Sequence, residues 1–322
     1  MADSCKTYLI PALALLMATT SSCIFEKEPF CPEDGVEFTI VNDWINSPDA
    51  APEGMAYLFF RTDVSAPWRF DFPGREAGKV ALQPGDYRFL MYNDDTSGII
   101  FTASPDGMPF ATTATDSIRI DGLSIEARKS PDMMWGCSIA DVRVDFDGIE
   151  YSSDCDSAAV PTHRDKNRYT LLTYPRQITP VYTVRVLHVE NLQGVAAMKG
   201  TISGMASGIN LYGRVASADA VSVAFVPRIA RDSTVTAGFN TFGLPSSGSV
   251  TNKLHLYFLL SDARIEERSY DVTATVISAP DPMYIEIVID SIRLPYAPPF
   301  TEGGGFSPMV EGWTTVEVNY ET

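Results

Sequence analysis

The chain has 322 residues, of which 45% are hydrophobic and 20% charged, a composition typical of a globular protein with about two domains. It carries 41 acidic and 24 basic residues, which gives a formal net charge of −17. Because such a surface repels phosphate backbones and no cluster of lysine and arginine offsets it, the composition excludes nucleic acid as a partner.

Residues 1–22 have the order of a secretory signal peptide: one cation, Lys6, then an apolar run over residues 9–18, then small residues before Cys23. An apolar run of about ten residues is too short to span a bilayer core, which needs roughly twenty. A cysteine directly after small residues is where a bacterial lipoprotein is cleaved and acylated, for example with palmitate. We therefore predict lipidation at Cys23 and a lipidated tether over residues 23–34. The alternative is an ordinary cleaved signal with an incidental cysteine.

Three cysteines remain after signal cleavage and lipidation, namely Cys31, Cys137 and Cys155. Three thiols allow at most one disulfide in an oxidising compartment, and the sequence leaves all three pairings open. The chain has no CxxC motif, so these cysteines predict no metal site.

Beyond the tether, short runs of β-branched and aromatic residues are separated by Gly, Pro, Asn and Asp, the pattern of a β-sandwich or barrel. In the first half we predict five strands, over residues 37–42, 55–60, 68–72, 79–82 and 87–92. We also predict a short helical turn over residues 122–128. In the second half we predict strands over residues 182–189, 196–202, 221–226, 254–260, 270–276 and 284–289. Pro175 and Pro180 interrupt any ladder between the two series. The sequence thus predicts two β-sandwich domains, over residues 35–178 and 179–322.

The final strand, over residues 313–322, has two different faces. Val316, Val318 and Tyr320 point one way, and acidic or polar residues point the other. Because the strand ends the chain, it could pair with the sheet edge of another subunit as a donor strand. The alternative is an ordinary closing strand within its own domain.

The residues that could carry chemistry predict no catalytic site, no metal and no cofactor. His188 and His255 lie inside predicted strands, and His163 lies in a polar loop, so none is expected to be a ligand or a catalytic base. Residues 145–148 begin like a calcium loop. However, Ile149 stands where the third acidic residue belongs, and we predict a hairpin turn there.

Four tryptophans, Trp44, Trp68, Trp135 and Trp313, are candidates for a glycan-stacking platform with polar neighbours. Aromatic rings also bury large areas and dominate sandwich cores, so the alternative for each is a place in the core.

A series of short phrases recurs in a set order along the mature chain. They are Trp44 with residues 52–55, 84–87, 92–96 and 131–136 in the first half, and residues 204–208, 239–243, 270–273 and the strand from Trp313 in the second. Together they resemble the fimbrillin-like lipoproteins of Bacteroidales, in particular the domain-of-unknown-function branch near the Mfa-like and FimB-like pilus anchors. The resemblance implies two tandem transthyretin-like (Greek-key) β-sandwiches, exported as an outer-membrane lipoprotein.

The resemblance also implies a role in cell adhesion. Such relatives are shaft, tip or anchor subunits of pili, and the shaft assembles by strand exchange after a protease removes an N-terminal strand. Arg61, Arg69 and Arg75 are the candidate cleavage sites, although an anchor that keeps its lipid would not be cut there. The acidic residues Glu26 and Glu28 behind Cys23 resemble the signal for export to the outer leaflet.

We therefore predict a non-enzymatic cell-surface lipoprotein that is an anchor or accessory subunit of a fimbria-like assembly, with other fimbrillin-like subunits as partners. The alternative is a glycan-binding surface lipoprotein that works beside a nutrient importer. The same lineage implies O-glycosylation where serine follows aspartate and precedes a small or aliphatic residue, as at Ser117, Ser157, Ser233 and Ser291.

Overall fold

The computed structural model describes residues 35–64, 66–120, 123–152, 168–230, 234–248 and 250–299, without the side chains of residues 117–120, 123 and 124. The described part is almost entirely β-structure, which confirms the predicted all-β class. None of the described helices is long and apolar enough to cross a membrane.

The described elements comprise the helix α1 (Thr273–Ile277), two short 3-10 turns (Trp44–Asn46 and Leu192–Gly194) and the strands that follow. The strands are β1 (Val36–Asn42), β2 (Gly54–Phe60), β3 (Trp68–Pro73), β4 (Lys79–Leu82), β5 (Gly85–Asn93), β6 (Ile99–Ala103), β7 (Pro109–Thr113), β8 (Thr115–Ile120), β9 (Leu123–Lys129), β10 (Trp135–Asp145), β11 (Gly148–Tyr151), β12 (Thr170–Thr173), β13 (Arg176–Gln177), β14 (Val181–Glu190), β15 (Val195–Ala206), β16 (Gly208–Asn210), β17 (Val215–Ala216), β18 (Ala220–Phe225), β19 (Arg228–Ile229), β20 (Val235–Asn240), β21 (Lys253–Leu260), β22 (Ile265–Asp271) and β23 (Tyr284–Arg293).

Two sheets enclose a core in the first half of the chain. A three-stranded sheet in the order β12-β1-β4 packs on a larger sheet in the order β11-β10-β5-β2-β3, and β13 pairs with β10. Strand alternation fills the space between them, because Phe38 and Ile40 of β1 point inward while Glu37 is exposed. We call this buried set the first core, and its residues all lie between 36 and 171.

A second pair of sheets encloses the second core. The order β19-β20-β14-β23 forms one sheet and β22-β21-β15-β18-β9-β8 the other. In β14 Tyr182, Val184 and Val186 face this core, and all three are 1% exposed or less. The alternation ends there, because His188 has a φ of 51° and is exposed while Val189 is buried. The buried residues of this second core all lie between 182 and 297.

A third buried set, the central cluster, joins the two halves. Strand β2 turns Tyr57 and Phe59 into the first core and Leu58 into the central cluster, so both of its faces are buried. Double burial explains why β2 is almost uniformly apolar instead of alternating. The central cluster consists of Ala56, Leu58, Phe60, Leu90, Tyr92, Ile99, Met108, Ala111, Met134, Ile178, Ala206, Ile209, Leu211 and Phe242.

Strand pairing also crosses between the halves. Strand β7 pairs with β16, and β9 runs parallel to β18, with Arg128 beside Val223. The predicted helical turn over residues 122–128 is therefore wrong, because tertiary pairing draws this segment into the six-stranded sheet. The domain division at residue 178 remains a prediction. Each of the two outer cores lies on one side of residue 178, but the β8–β9 hairpin of the first half extends a sheet of the second half.

The strand predicted over residues 270–276 ends earlier than expected. Asp271 accepts a hydrogen bond from the Thr273 backbone N–H at 3.0 Å, which satisfies one of the amides that begin α1. Val276 then reaches the second core with 6% of its surface exposed. The apolar residues that indicated a strand are thus buried by one helical turn.

Cys137 on β10 is disulfide-bonded and only 1% exposed. The other four cysteines lie outside the described residues. The pairing between Cys137 and either Cys31 or Cys155 therefore stays open.

Candidate functional site

The predicted tryptophan platform falls partly within the first core. Trp44 is 5% exposed, its indole N–H donates to the Arg75 carbonyl at 3.0 Å, and the Arg75 guanidinium lies 5.2 Å from its ring centre. Trp68 and Trp135 are half-buried and pack against the same core, while Trp313 lies outside the described residues. The platform remains a prediction, but the buried ring of Trp44 offers little surface for a glycan to stack on.

The three candidate cleavage arginines are each held by neighbouring groups. Arg61 pairs with Asp63 and lies over the rings of Trp68 and Tyr87, at 5.8 and 5.6 Å from their centres. Arg69 donates to Asp71 at 2.7 Å and pairs with a second carboxylate, Asp94. A protease must draw an arginine side chain into its own pocket, so these contacts oppose cleavage in the folded chain.

Arg75 is the most firmly held of these arginines. Its guanidinium donates to the carbonyls of Pro48 and Ala50 at 3.3 and 3.1 Å, and its own carbonyl accepts from Asn42 and Trp44. These bonds join the loop before β4 to the segment between β1 and β2.

Two buried tyrosines have strongly perturbed acidity. Burial raises the pKa of Tyr57 to about 12, although the Asn42 amide, 2.6 Å from its hydroxyl oxygen, favours ionisation. Burial likewise raises the pKa of Tyr182 to about 12. Because the folded state holds both hydroxyls protonated above their ordinary pKa, these shifts make stability depend on pH.

The described histidines form surface pairs with carboxylates. His188 Nδ1 lies 2.8 Å from Asp290, and His255 Nδ1 lies 2.8 Å from Glu267. Among the residues that the structure describes, no group of three or more His, Cys, Asp or Glu could hold a metal ion. His163 lies outside the described residues.

The segment that resembled a calcium loop is the turn of the β10–β11 hairpin, which confirms that prediction. Asp145 accepts from the Phe146 N–H at 2.7 Å, and the hydroxyl of Tyr169 donates to the Phe146 carbonyl at 2.9 Å. These two hydrogen bonds hold the turn in place and occupy its polar groups.

Most predicted modification and assembly residues lie beyond the described part. Cys23, Ser157, Ser233 and the donor-strand residues Val316, Val318 and Tyr320 are outside it, and the side chain of Ser117 is not described. Ser291 is described: it is exposed on β23 and has a φ of 55°, in the left-handed region. It is therefore accessible on an irregular stretch of strand, as a modified serine must be.

A cavity of about 530 Å³ opens where the two sheets of the second half meet, between β18 and β20. Phe225 and Phe239 line it and stack with their ring centres 4.3 Å apart. Arg228 stands at its exposed rim. Sequence reasoning missed this cavity, and it also missed β20, the strand that carries Gly238.

Comparison with solved structures finds several chains that are similar to this one over most of its length. A candidate adhesin from Bacteroides ovatus ATCC 8483 is 19% identical with a TM-score of 0.58, over 81% of this chain and 94% of that one. The fimbrial anchor protein Mfa2 from Porphyromonas gingivalis is 14% identical with a TM-score of 0.45, over 80% and 89%. A second candidate adhesin from Bacteroides ovatus is 10% identical with a TM-score of 0.49, over 80% and 88%. At 19% identity, the likeness to the first of these structures shows the fold alone.

No curated protein matches the chain. A family match covers residues 23–226, more than half of the sequence, and confirms that the chain is a member of a domain-of-unknown-function family. The chain belongs to the family described as a domain of unknown function (DUF5119).

Proposed function

We propose that the protein is a non-enzymatic cell-surface lipoprotein and an anchor or accessory subunit of a fimbria-like assembly. The observation that carries this proposal is the start of the family match at Cys23, the residue directly after the predicted signal peptide. A family that begins at this cysteine is what a lipoprotein processed at Cys23 would give. The sandwich fold shared with a candidate adhesin supports the same proposal.

Acyl chains on Cys23 would hold the protein in the outer membrane. Stable retention needs two or more acyl chains, because one chain gives only marginal and reversible binding. The tether that follows would keep the described body, which starts at residue 35, outside the bilayer.

The strand over residues 313–322 would join the protein to a partner subunit by strand addition. Backbone hydrogen bonds would supply affinity, and the alternate side chains Val316, Val318 and Tyr320 would set the register. Other fimbrillin-like subunits are the partners that this mechanism proposes.

The lipid anchor is tested by replacing Cys23 with alanine in the native bacterium. We expect Cys23→Ala to abolish labelling by an alkyne fatty acid and to release the protein from the membrane fraction. Cys5→Ala is the matched control, because Cys5 lies within the predicted signal and would be removed. Unchanged membrane retention of Cys23→Ala would refute the lipid anchor.

The assembly role is tested by crosslinking intact cells and identifying the partners by mass spectrometry. Fimbrillin-like subunits in the crosslinked product, lost on deletion of residues 313–322, would support it. The truncated protein must keep its thermal midpoint for that loss to count. Importer components in place of fimbrillins would instead favour the glycan-binding alternative.

A further inference from the structure

The cavity between β18 and β20 coincides with a gap in a sheet edge. Along a strand, successive residues direct their N–H and C=O groups to opposite edges. The Thr241 N–H donates to the Pro180 carbonyl at the start of β14, so the odd-numbered residues of β20 direct their N–H and C=O groups toward β14. The even-numbered residues therefore direct their N–H and C=O groups to the opposite edge. The partners on that edge can therefore be followed residue by residue.

Thr236 pairs with Arg228 of β19, and the Thr234 carbonyl accepts from the N–H of Ala230, directly after β19. Asn240 finds its partner in the Ser130 hydroxyl, which accepts from the Asn240 N–H at 2.9 Å and donates to the Asn240 carbonyl at 3.1 Å. Between them, no described group bonds the N–H and C=O that Gly238 directs to this edge. One peptide donor and one peptide acceptor thus face the cavity.

The surroundings of Gly238 are open. A Cβ built on Gly238 meets no atom within 4 Å, so the space beside it is unfilled. From Thr236 to Asn240 the edge spans about 13 Å at 3.3 Å per residue, and both ends are occupied. That length excludes an added strand and suits a small molecule.

The residues that line the cavity indicate which class of ligand would bind there. The side chain of Arg228 makes no hydrogen bond or ion pair with the described residues, and its guanidinium is exposed at the rim. Ala224, Phe225 and Val226 supply an apolar wall, and Thr236 adds a hydroxyl. A matching ligand needs an anionic group for Arg228, a donor and an acceptor for the open peptide, and a C–H face.

We propose that this cavity binds a carboxylate-bearing sugar, such as the uronic acid of an acidic glycan. The carboxylate would pair with Arg228, ring hydroxyls would donate to and accept from Gly238, and the C–H face would lie against the apolar wall. A cavity of about 530 Å³ is within the ordinary range for small-ligand sites. The site is separate from Cys23 and from residues 313–322, so it stands or falls independently of the proposed function.

The test is calorimetric titration of the purified mature chain with D-glucuronic acid, D-glucose and N-acetylalanine. We expect glucuronic acid to bind at least about tenfold more tightly than glucose, because glucose lacks the charged group that Arg228 recognises. Equal binding of glucose would overturn the proposal. Equal binding of N-acetylalanine would also overturn it, because the cavity would then recognise a carboxylate without the sugar.

Variants locate the binding. Arg228→Ala should weaken the binding of glucuronic acid at least about tenfold. Arg143→Ala, which removes another exposed arginine far along the chain on β10, should leave the affinity unchanged. Both variants should keep the wild-type thermal midpoint. If wild type does not bind glucuronic acid, or if Arg228→Ala binds as well as wild type, the assignment is wrong.

Discussion

The central cluster should make the two halves unfold as one, and Leu90→Ala tests this coupling. Leu90 is fully buried on β5, where its neighbours Phe89 and Met91 point into the first core. Leu90 itself points into the central cluster, which also holds Ile209 and Phe242 from the second half. The substitution therefore weakens the junction and leaves both outer cores intact.

The expected cost follows from the lost volume. A buried Leu→Ala change costs about 2–5 kcal/mol, because the removed methyl groups lose their contacts and a cavity remains. Taking about 3 kcal/mol, and roughly 2–4 °C per kcal/mol for a domain of 150–250 residues, the midpoint should fall by about 6–12 °C.

Two optical probes distinguish joint from separate unfolding. Three of the four tryptophans belong to or pack on the first core, so their fluorescence reports on the first half. A Trp313→Phe background removes the fourth. Far-ultraviolet circular dichroism reports on strands of both halves. We expect the two transitions to coincide in wild type and to shift together in Leu90→Ala.

Leu256→Ala supplies the matched control from the other half. Leu256 is 1% exposed in the second core, which contains no tryptophan among the described residues. If the halves are coupled, this variant should lower the midpoint seen by tryptophan fluorescence as well. A fluorescence transition that stays at its wild-type position in Leu256→Ala would refute the coupling.

Three further substitutions test individual contacts. Arg75→Ala should cost about 1–3 kcal/mol and red-shift tryptophan emission, because two loop carbonyls lose their donor and a buried indole loses its cover; unchanged emission would contradict this. Tyr57 should make stability fall by up to about 3 kcal/mol as pH rises from 10 to about 12, because the unfolded state ionises first; Tyr57→Phe should make the fall of the urea midpoint with pH less steep, and the part due to Tyr182 should remain. Gly200→Ala should cost about 1–3 kcal/mol in urea unfolding, because its Cβ would lie 2.3 Å from the Phe225 ring, whereas Gly238→Ala, which meets no atom within 4 Å, should be nearly neutral.

The strands that could be predicted from sequence are those with one buried face. In β14 the alternation of Tyr182, Val184 and Val186 with polar residues fixes both the element and its inward side. Strand β2 was also found, but its uniformly apolar run could not show that Leu58 serves a different core from Tyr57. The hydrophobic pattern of a strand indicates which residues are buried, but it does not indicate which neighbouring element covers each face.

The pairings between halves were beyond the reach of the sequence. Strands β9 and β18 meet through only two residue pairs, Arg128 with Val223 and Lys129 with Ala224, almost a hundred positions apart. Local composition near residues 122–128 favoured a helical turn, and the sheet edge offered by β18 overrode it. The cavity was missed for the same reason, since Arg228 and Ser130 meet β20 only in the folded chain.

Ligand binding should reveal whether the cavity and the junction act as one structure. Ser130, which closes one end of the cavity, lies on the connection from β9 to β10, between the six-stranded sheet and the first core. A ligand that binds only the folded state stabilises it by about 2.7 kcal/mol at one hundred times its dissociation constant. If the halves unfold as one, glucuronic acid at that excess should raise the midpoint seen by first-half tryptophan fluorescence as much as that seen by circular dichroism. A shift confined to circular dichroism would mean that the ligand binds but that the central cluster does not transmit its effect.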